Sequence, residues 1–554
     1  MDKININKNN FWKGYQVENI FVYIKGYIYS HTIDDIIRCL KIIKVEEISN
    51  FINSLDGHFA LVVKKDEITF IAVDKVRSTP LFFSKINDNF YVDSDPSKII
   101  KNDGFSVKMS SNSILEMHMS GYTIGNKTIF TNLFSLKAGE LVVFRDNNFK
   151  YEQYYRFLCN AECAKYKGYD YYIEKLSKVT LNVFTKMLSQ IGERQIIIPL
   201  SAGNDSRLVA SILKHLGAKN VKCYSYGSFG NFESDIAKIV ANKLGYEYIF
   251  LPIGYNSEKK YYSSNDYRNY LKFSETYCSI PYTQGLSTIK YLKDMNWIDK
   301  DAVFINGNTG DFISGGHIDS LLKNLRTNNG NKKTRKEIIL NSLIDKHFSL
   351  WGWLKTERNL QKIKASLWRE ITLACGEISH DKDKDHKFYE YSEFIDRQSK
   401  YVITCQRSYE FYGYDWRLPL WDDEYLNFWK KIPPKFKENQ MLYIDMLKKK
   451  NFGDVWGNDI PVNKREITPK WIVPIRLAAK IFFGFFGKGG KAYWKQFDKV
   501  FFNYWMINTH TLKSFSYLDI LKDFNKKPRG IYACWASSSY VKKLRSLKYN
   551  NPPS

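Results

Sequence analysis

Apolar positions along the chain follow two successive rhythms. Over residues 1 to 155 the apolar runs are short and strand-like. Phe21–Tyr29, Phe59–Val63, Thr69–Val73 and Leu81–Phe83 are separated by charged or Pro/Ser turns. Ile33–Ile43 and Val45–Leu55 carry helical periodicity instead. A polar, tyrosine-rich passage over residues 151 to 170 reads as a linker, and Tyr171–Ile191 as a helix. The second rhythm then begins. Ile196, Ile197 and Ile198 form a β-branched run suited to a strand buried on both faces. Leu208, Val209, Ile212, Leu213 and Leu216 recur at helical spacing, and Gly217 stands where a helix should stop. Val221–Tyr226, a helix Glu233–Leu244 stopped by Gly245, and Tyr248–Ile253 repeat the unit, and Ala302–Ile305 is a further strand. This alternation predicts an α/β fold whose second part is a doubly wound parallel sheet, with ligands beyond the strands' carboxyl ends. Residues 318 to 390 are polar, basic and helical, and 328–333 and 380–387 read as solvated loops. Helices resume from Tyr391 to Lys450. The expected division is residues 1–155 and 165–554.

The stretch 471–504 is aromatic and basic. Arg476 and Lys480 interrupt its apolar run, so it is amphipathic rather than spanning. Packing on its own domain is the expectation. Peripheral contact with an anionic membrane surface, or with a partner, is the alternative. No uninterrupted apolar stretch reaches about 18 residues, so no transmembrane helix is predicted. The opening MDKININKNNFWKG has no apolar core of a secretory signal.

Composition narrows the class further. At 554 residues the chain suits two or three domains, and 44% hydrophobic with 16% aromatic residues suits a folded protein. Lys and Arg total 83 against 58 Asp and Glu, a net charge of +25. The basic residues are spread along the chain without a Lys/Arg tail, which favours a basic solvated surface over a specific nucleic-acid partner. The 8 cysteines are scattered. Cys159 and Cys163 are the close pair, without a second pair or neighbouring histidine for zinc. Free thiols in a reducing, cytoplasmic setting are the simplest account.

Chemistry concentrates in two loops. After Leu200 the chain turns through Ser201, Ala202, Gly203 and Asn204 into a helix. A helix N-terminus at a strand's carboxyl end favours a bound phosphate. Ser201 and Ser206 add hydroxyl donors, and Asp205 a carboxylate able to hold Mg²⁺. The strand Ala302–Ile305 leads into Asn306-Gly307-Asn308-Thr309-Gly310-Asp311-Phe312-Ile313-Ser314-Gly315-Gly316-His317, whose Asp311 brings a second carboxylate to the same sheet edge. Taken alone, the first loop could be an ordinary turn with a Ser/Asp helix cap, and the second a Gly/Asn turn. No Walker-type loop and no strand-borne Gly-x-Gly-x-x-Gly occurs.

Ser201–Ser206 resembles the Ser-Gly-Gly-x-Asp-Ser pyrophosphate loop of the asparagine synthetase family, with Ala202 for the first Gly. Gly307–His317 resembles that family's Gly-Glu-Gly-x-Asp-Glu-x-x-Gly-Gly-Tyr. Gly307, Asp311, Gly315 and Gly316 match, whereas Asn308, Phe312 and His317 depart. Gly413, Arg417, Pro419 and Asp422 match Gly-x-Glu-x-Arg-x-Pro-Phe-Leu-Asp, with Asp415 for Glu; Asp415 and Arg417 read as a structural pair, a substrate role being the alternative. Lys464, or else Arg465, stands where the family has a late phosphate-reaching lysine. Ahead of these, Leu55–Ala60, Asp74–Leu81 and Phe90–Asp95 resemble the dGxFA, DrxGxxPL and f-x-x-Ser-Glu/Asp elements of class II glutamine amidotransferase domains. That fold uses a cysteine exposed after Met removal, where this chain has Asp2; the first cysteine is Cys39. Its glutamine-holding Arg-Gly-Pro-Asp and Asn-Gly-Glu-Ile-Tyr-Asn stretches are also missing. A degenerate domain without glutaminase activity, serving as structure or lid, is expected.

The resemblance implies an amidotransferase-like α+β sandwich, then an adenine nucleotide alpha-hydrolase-like sheet with a helical C-terminal part. It implies ATP-dependent amide formation through an acyl-adenylate with release of pyrophosphate. ATP and Mg²⁺ would be held by Leu200, Ser201, Ala202, Gly203, Asn204, Asp205, Ser206, Tyr226, Gly227, Asn306 and Gly307. Asp205 and Asp311 would be the metal ligands, and Lys464 would stabilise transition-state charge. The substrate would be a small-molecule, peptide or sugar carboxylate, attacked by an amine or ammonia. Asn308 cannot take a proton, so free aspartate is not assigned. The other reading is an inactive scaffold that binds an anionic glycan, lipid or nucleic acid.

Overall fold

The computed structural model describes residues 3–4, 11–145, 148–159, 168–327, 330–462, 470–506 and 511–549. Its N-terminal part holds two antiparallel sheets face to face. The larger runs β10-β9-β5-β4-β3-β2, where β2 is Trp12–Val17, β3 Ile20–Ile28, β4 Gly57–Lys65, β5 Ile68–Val73, β9 Glu140–Arg145 and β10 Asn148–Gln153. The smaller runs β1-β7-β6-β8, where β1 is Lys3–Ile4, β6 Phe82–Ile86, β7 Asn89–Asp93 and β8 Phe134–Ser135; β1 joins β7 in parallel.

Side chains of β4 and β5 divide by alternation. Ala60, Val62, Ile71 and Val73 meet Leu81, just ahead of β6, and Phe83, Phe90 and Val92 of the second sheet. Phe59, Leu61, Val63, Phe70 and Ala72 turn the other way, against Ile36, Leu40, Ile48 and Ile52 of the helices Ile33–Ile42 and Ile48–Ser54. With both faces covered, these strands read as nearly unbroken apolar runs. The outer face of the smaller sheet packs Phe82, Ile86 and Tyr91 with Met117 and with Tyr540, Val541 and Leu544 of the helix Tyr532–Tyr549. The far end of the chain thus covers the N-terminal sandwich.

The second part is built on an all-parallel sheet, β13-β12-β11-β14-β15, with β11 Ile196–Pro199, β12 Val221–Gly227, β13 Glu247–Pro252, β14 Val303–Ile305 and β15 Asp415–Arg417. Strand order reverses at β11. Its successor β12 lies on one side and β14 on the other, so the loops after β11 and β14 diverge and leave a crevice at the carboxyl edge.

Buried charges tie the two parts together. Lys25 Nζ meets Glu410 Oε2 at 2.9 Å, and removing one partner of such a pair typically costs about 3–5 kcal/mol. Arg77 is fully buried and donates to Leu136 O (2.8 Å), Ser135 Oγ (2.7 Å) and Ser399 O (3.2 Å). It occupies the glycine position of DrxGxxPL and keeps the left-handed backbone, φ 61°. These hydrogen bonds, of which the one to Ser399 crosses to the second part, offset a conformation that would otherwise favour Gly.

Three expectations are corrected. Residues 380–387 are a solvated surface only in their first half: His380 to Asp383 are exposed, whereas Asp385 and His386 are buried, with Arg335 from the helix Lys332–His347 meeting Asp385 at 2.7 Å. Asp415 and Arg417 do not pair. They share one short strand but separate partners: Asp415 meets Arg194 at 2.7 Å, and the Arg417 guanidinium lies over Tyr27 at 4.0 Å. The stretch after Trp471 forms helices Ile472–Gly484 and Gly487–Phe497 that leave most of their apolar side chains in solvent. No helix among the described residues is long and apolar enough to cross a membrane.

Candidate functional site

The crevice opens into a cavity of about 980 Å³. Its floor is the β11 loop and the start of the helix Asn204–His215. The two loop serines hold each other: Ser201 N–H donates to Ser206 Oγ at 3.0 Å, and Gly203 N–H to Ser201 Oγ at 3.1 Å. Part of the expected anion cradle is therefore engaged within the loop, and these serines shape it before any ligand arrives.

Asp205 and Asp311 face one another across this floor. Asp205 Oδ2 accepts the Asp311 backbone N–H at 3.2 Å, and Asp205 Oδ1 accepts from the Tyr443 hydroxyl at 3.0 Å. The approach requires glycines in the second loop. A Cβ on Gly310 would lie 2.3 Å from Asp205 Oδ1, and one on Gly307 would lie 2.7 Å from the Asp205 carbonyl carbon. Thr309, at a glycine position of the resembled motif, is left-handed at φ 84°. Such strain in a non-glycine residue concentrates at functional loops.

Asp311 is 57% exposed at the side chain and accepts from Phe312 N–H at 2.8 Å. Its other oxygen lies 3.1 Å from His317 Nε2. His317 Nδ1 lies 2.5 Å from Glu393 Oε1, and Glu393 Oε2 lies 3.1 Å from His347 Nε2. Burial opposes charge on Asp311, but the hydrogen bond and charge of His317 outweigh it and hold the carboxyl below its usual range. Burial likewise opposes the His317 proton, yet Asp311 and Glu393 raise the imidazole above its ordinary value. His347 goes the other way: burial lowers it to about 4, so it is neutral at pH 7.

Glu393 belongs to a π-helical stretch, Glu393–Val402, whose Arg397, Gln398 and Tyr401 also line the cavity. Arg397, Lys346 and Arg529 give this far half a cationic wall, with Tyr122 reaching in from the N-terminal part. Burial lowers Lys346 to about 8. Asn308, at the family's Glu position, is tied down by its own side chain, whose Nδ2 lies 3.0 Å from Cys405 Sγ.

Leu200, Ser201, Gly203, Asn204, Asp205, Ser206, Tyr226, Asn306, Gly307 and Asp311 all line the cavity. Ala202 is buried behind the loop, and Gly227 ends β12 without lining it. Lys464 and Arg465 lie outside the described residues. Sequence reasoning missed Arg207. It is buried and donates to Ala202 O (3.0 Å), Val455 O (3.2 Å), Ile460 O (2.9 Å) and Pro461 O (3.0 Å). It thereby fixes the loop to the segment entering residues 463–469. A signal was present: Arg207 adjoins Leu208 and precedes Ser211 by a helical turn, so a charge stood on a buried face.

Elsewhere, Cys159, His386 and Glu390 form the group of metal-ligating types among the described residues. The histidine neighbour absent in sequence is present in space. Lys437 already supplies a positive charge, 2.7 Å from Glu390 and 3.4 Å from Cys159 Sγ, so the group is built around a buried ion pair, although His386 Nε2 and Glu390 Oε2 make no hydrogen bond. The described cysteines are free thiols.

Residues 40–155 match the glutamine amidotransferase domain family, and residues 191–449 match the asparagine synthase family. A search of the curated proteins finds no match. Among solved structures, the chain is similar to the glutamine phosphoribosylpyrophosphate amidotransferase of B. subtilis complexed with ADP and GMP. Identity is 12%, coverage 44% of this chain and 73% of that one, and TM-score 0.19. It is similar at 12% identity to an allosteric regulatory enzyme of purine biosynthesis, covering 52% of this chain and 55% of that one, TM-score 0.18. These low scores add nothing to the strand order above. The two domain matches support a class, the ATP-dependent amidotransferases and synthetases. Within it, the chain has the architecture of the asparagine synthetase family.

Proposed function

We propose that this protein is an ATP-dependent carbon–nitrogen ligase that activates a substrate carboxylate as an acyl-adenylate, releases pyrophosphate and passes the acyl group to an amine or ammonia. The observation that carries this reading is the meeting of Asp205 and Asp311 over a helix N-terminus inside a cavity large enough for nucleotide and acid. The residues fit Mg²⁺: Asp205 and Asp311 both line the cavity, their loops joined by the Asp311 N–H to Asp205 Oδ2, with Gly307 and Gly310 leaving no Cβ between the loops. When bound, that ion would neutralise phosphate charge as pyrophosphate departs.

The chain's own groups divide the remaining work. The Ser201–Ser206 loop and its helix dipole receive the phosphates. Leu200, Tyr226, Asn306 and Gly307 border the place for adenine, and Lys464, which follows the Arg207-anchored residues in sequence, would stabilise charge on the leaving group. Lys346, Arg397 and Arg529 face the cavity's other half and suit an anionic acid, whose carboxylate they would orient toward the α-phosphate. Asn308, held by Cys405, does not act as a base.

The test is ATP–pyrophosphate exchange with purified protein, screened over amino-acid, peptide and sugar carboxylates. Exchange that depends on one acid, on Mg²⁺ and on Asp205 supports the ligase. No exchange with any acid, together with no ATP binding, would leave the scaffold reading in its place.

A further inference from the structure

We infer that the helical hairpin Ile472–Phe497 is a docking surface for an anionic lipid bilayer, entered by its apolar tip and held by flanking lysines. On Ile472–Gly484 a narrow face looks inward. Ile472 and Ala479 pack with Phe502, Met506 and Trp505, and Phe483 lies 5.1 Å from the Phe497 ring. The remaining apolar side chains stand in solvent. Trp471 is 56% exposed, Phe482 58%, Phe485 83% and Phe486 63%; Val473, Ile475, Leu477 and Ile481 are exposed along the same helix. A contiguous apolar surface of this kind normally has a partner.

The hairpin is built to present that surface. Gly490 is buried where a Cβ would lie 1.9 Å from Phe483 O, so a glycine is needed for the second helix to close on the first. Gly487 turns the chain at φ 62° directly after Phe485 and Phe486. The aromatic pair therefore sits at the tip rather than against the domain.

Charge selects the occupant. Lys470, Arg476, Lys480, Lys488, Lys491 and Lys495 fall in this stretch, and no Asp or Glu occurs between Lys470 and Phe497. Arg476 is spoken for by Asp498 at 2.6 Å, while Lys470, Lys480, Lys488, Lys491 and Lys495 are solvent-exposed. A second copy of this surface would bring lysines against lysines. A bilayer with anionic headgroups takes the aromatic residues into its interface and the lysines onto its phosphates.

The test uses the full chain without nucleotide, floated with vesicles of phosphatidylcholine alone or with about 30% phosphatidylglycerol, a charge density at which basic anchors engage. The expected result is flotation only with the anionic vesicles, weakened by salt. Phe485→Ser with Phe486→Ser should reduce it about tenfold. Lys488→Gln, Lys491→Gln and Lys495→Gln together should reduce it comparably. Thermal unfolding should be unchanged in both, since these side chains are solvent-exposed. Absence of flotation on anionic vesicles overturns the inference, as does flotation indifferent to both variants. So does a dimer by light scattering that the Phe485/Phe486 variant dissociates while vesicles are ignored. None of these outcomes bears on ATP–pyrophosphate exchange, so the ligase reading stands or falls separately.

Discussion

The Asp311 backbone N–H donates to Asp205 Oδ2 at 3.2 Å, joining the loops that follow β11 and β14. One hydrogen bond thus spans the point where strand order reverses. It presents two carboxylates to one cavity, with Tyr443 and His317 drawing off part of their negative charge. Asp205→Ala and Asp311→Ala should each lower ATP–pyrophosphate exchange by about 100-fold or more, the scale of losing one electrostatic contact to a reacting phosphate. Circular dichroism should show both variants folded. Exchange at the wild-type rate in either would dissociate that residue from the chemistry.

Gly310→Ala makes a subtler demand. Its new Cβ would fall 2.3 Å from Asp205 Oδ1, inside contact distance, so the carboxylate or the loop must move. Overpacking of this kind costs about 1–3 kcal/mol. The expected variant melts lower than wild type, and its Mg²⁺ dependence of exchange shifts to higher concentration. If stability falls and the Mg²⁺ dependence does not move, the glycine serves packing alone.

Much of this arrangement was legible in the chain. Ile196–Ile198, the helical spacing from Leu208 onward and the glycine stops are local signals, and they placed the loops at the correct sheet edge. What was not legible depends on partners far away in sequence. Arg397 lines the cavity from a π-helical segment, and Glu393 of the same segment stands behind it holding His317, which apolar periodicity does not announce. Arg77 and Thr309 keep left-handed backbones without glycine because distant contacts and neighbouring loops hold them there, φ 61° and 84°. The exposure of Phe485 and Phe486 could not be read either, since an amphipathic stripe does not say whether its apolar side is covered.

His58 supplies a pH signature. It is buried beside the Tyr27 hydroxyl with Nε2 3.3 Å from Trp421 O, and burial, with Arg417 and Lys186 nearby, lowers it to about 3. Below pH 6.5 the unfolded chain takes up this proton and the folded one does not, so acid favours unfolding. Relative to His58→Asn, wild-type stability should fall by about 1.4 kcal/mol per pH unit between pH 6 and 4. Urea unfolding of both proteins across that range measures the difference. Parallel pH profiles would mean that His58 titrates normally.

Arg207 offers the sharpest separation of positioning from folding. Its guanidinium serves Ala202 on the loop and Val455, Ile460 and Pro461 on the incoming segment, all through carbonyl oxygens. Arg207→Met keeps the aliphatic stem and strands these acceptors, at about 1–3 kcal/mol for a buried group left unsatisfied. Arg207→Lys keeps the charge but loses the fork that spans both elements. If the residue only holds the fold, both variants should lower the melting temperature and leave the kinetics of surviving protein unchanged. If it sets the loop against the segment that carries Lys464, KM for ATP should rise several-fold in both, and in Arg207→Lys at a smaller cost in stability. Exchange kinetics at a temperature where all three proteins are folded decide between these outcomes. An unchanged KM would remove Arg207 from the nucleotide site and leave it a structural tie.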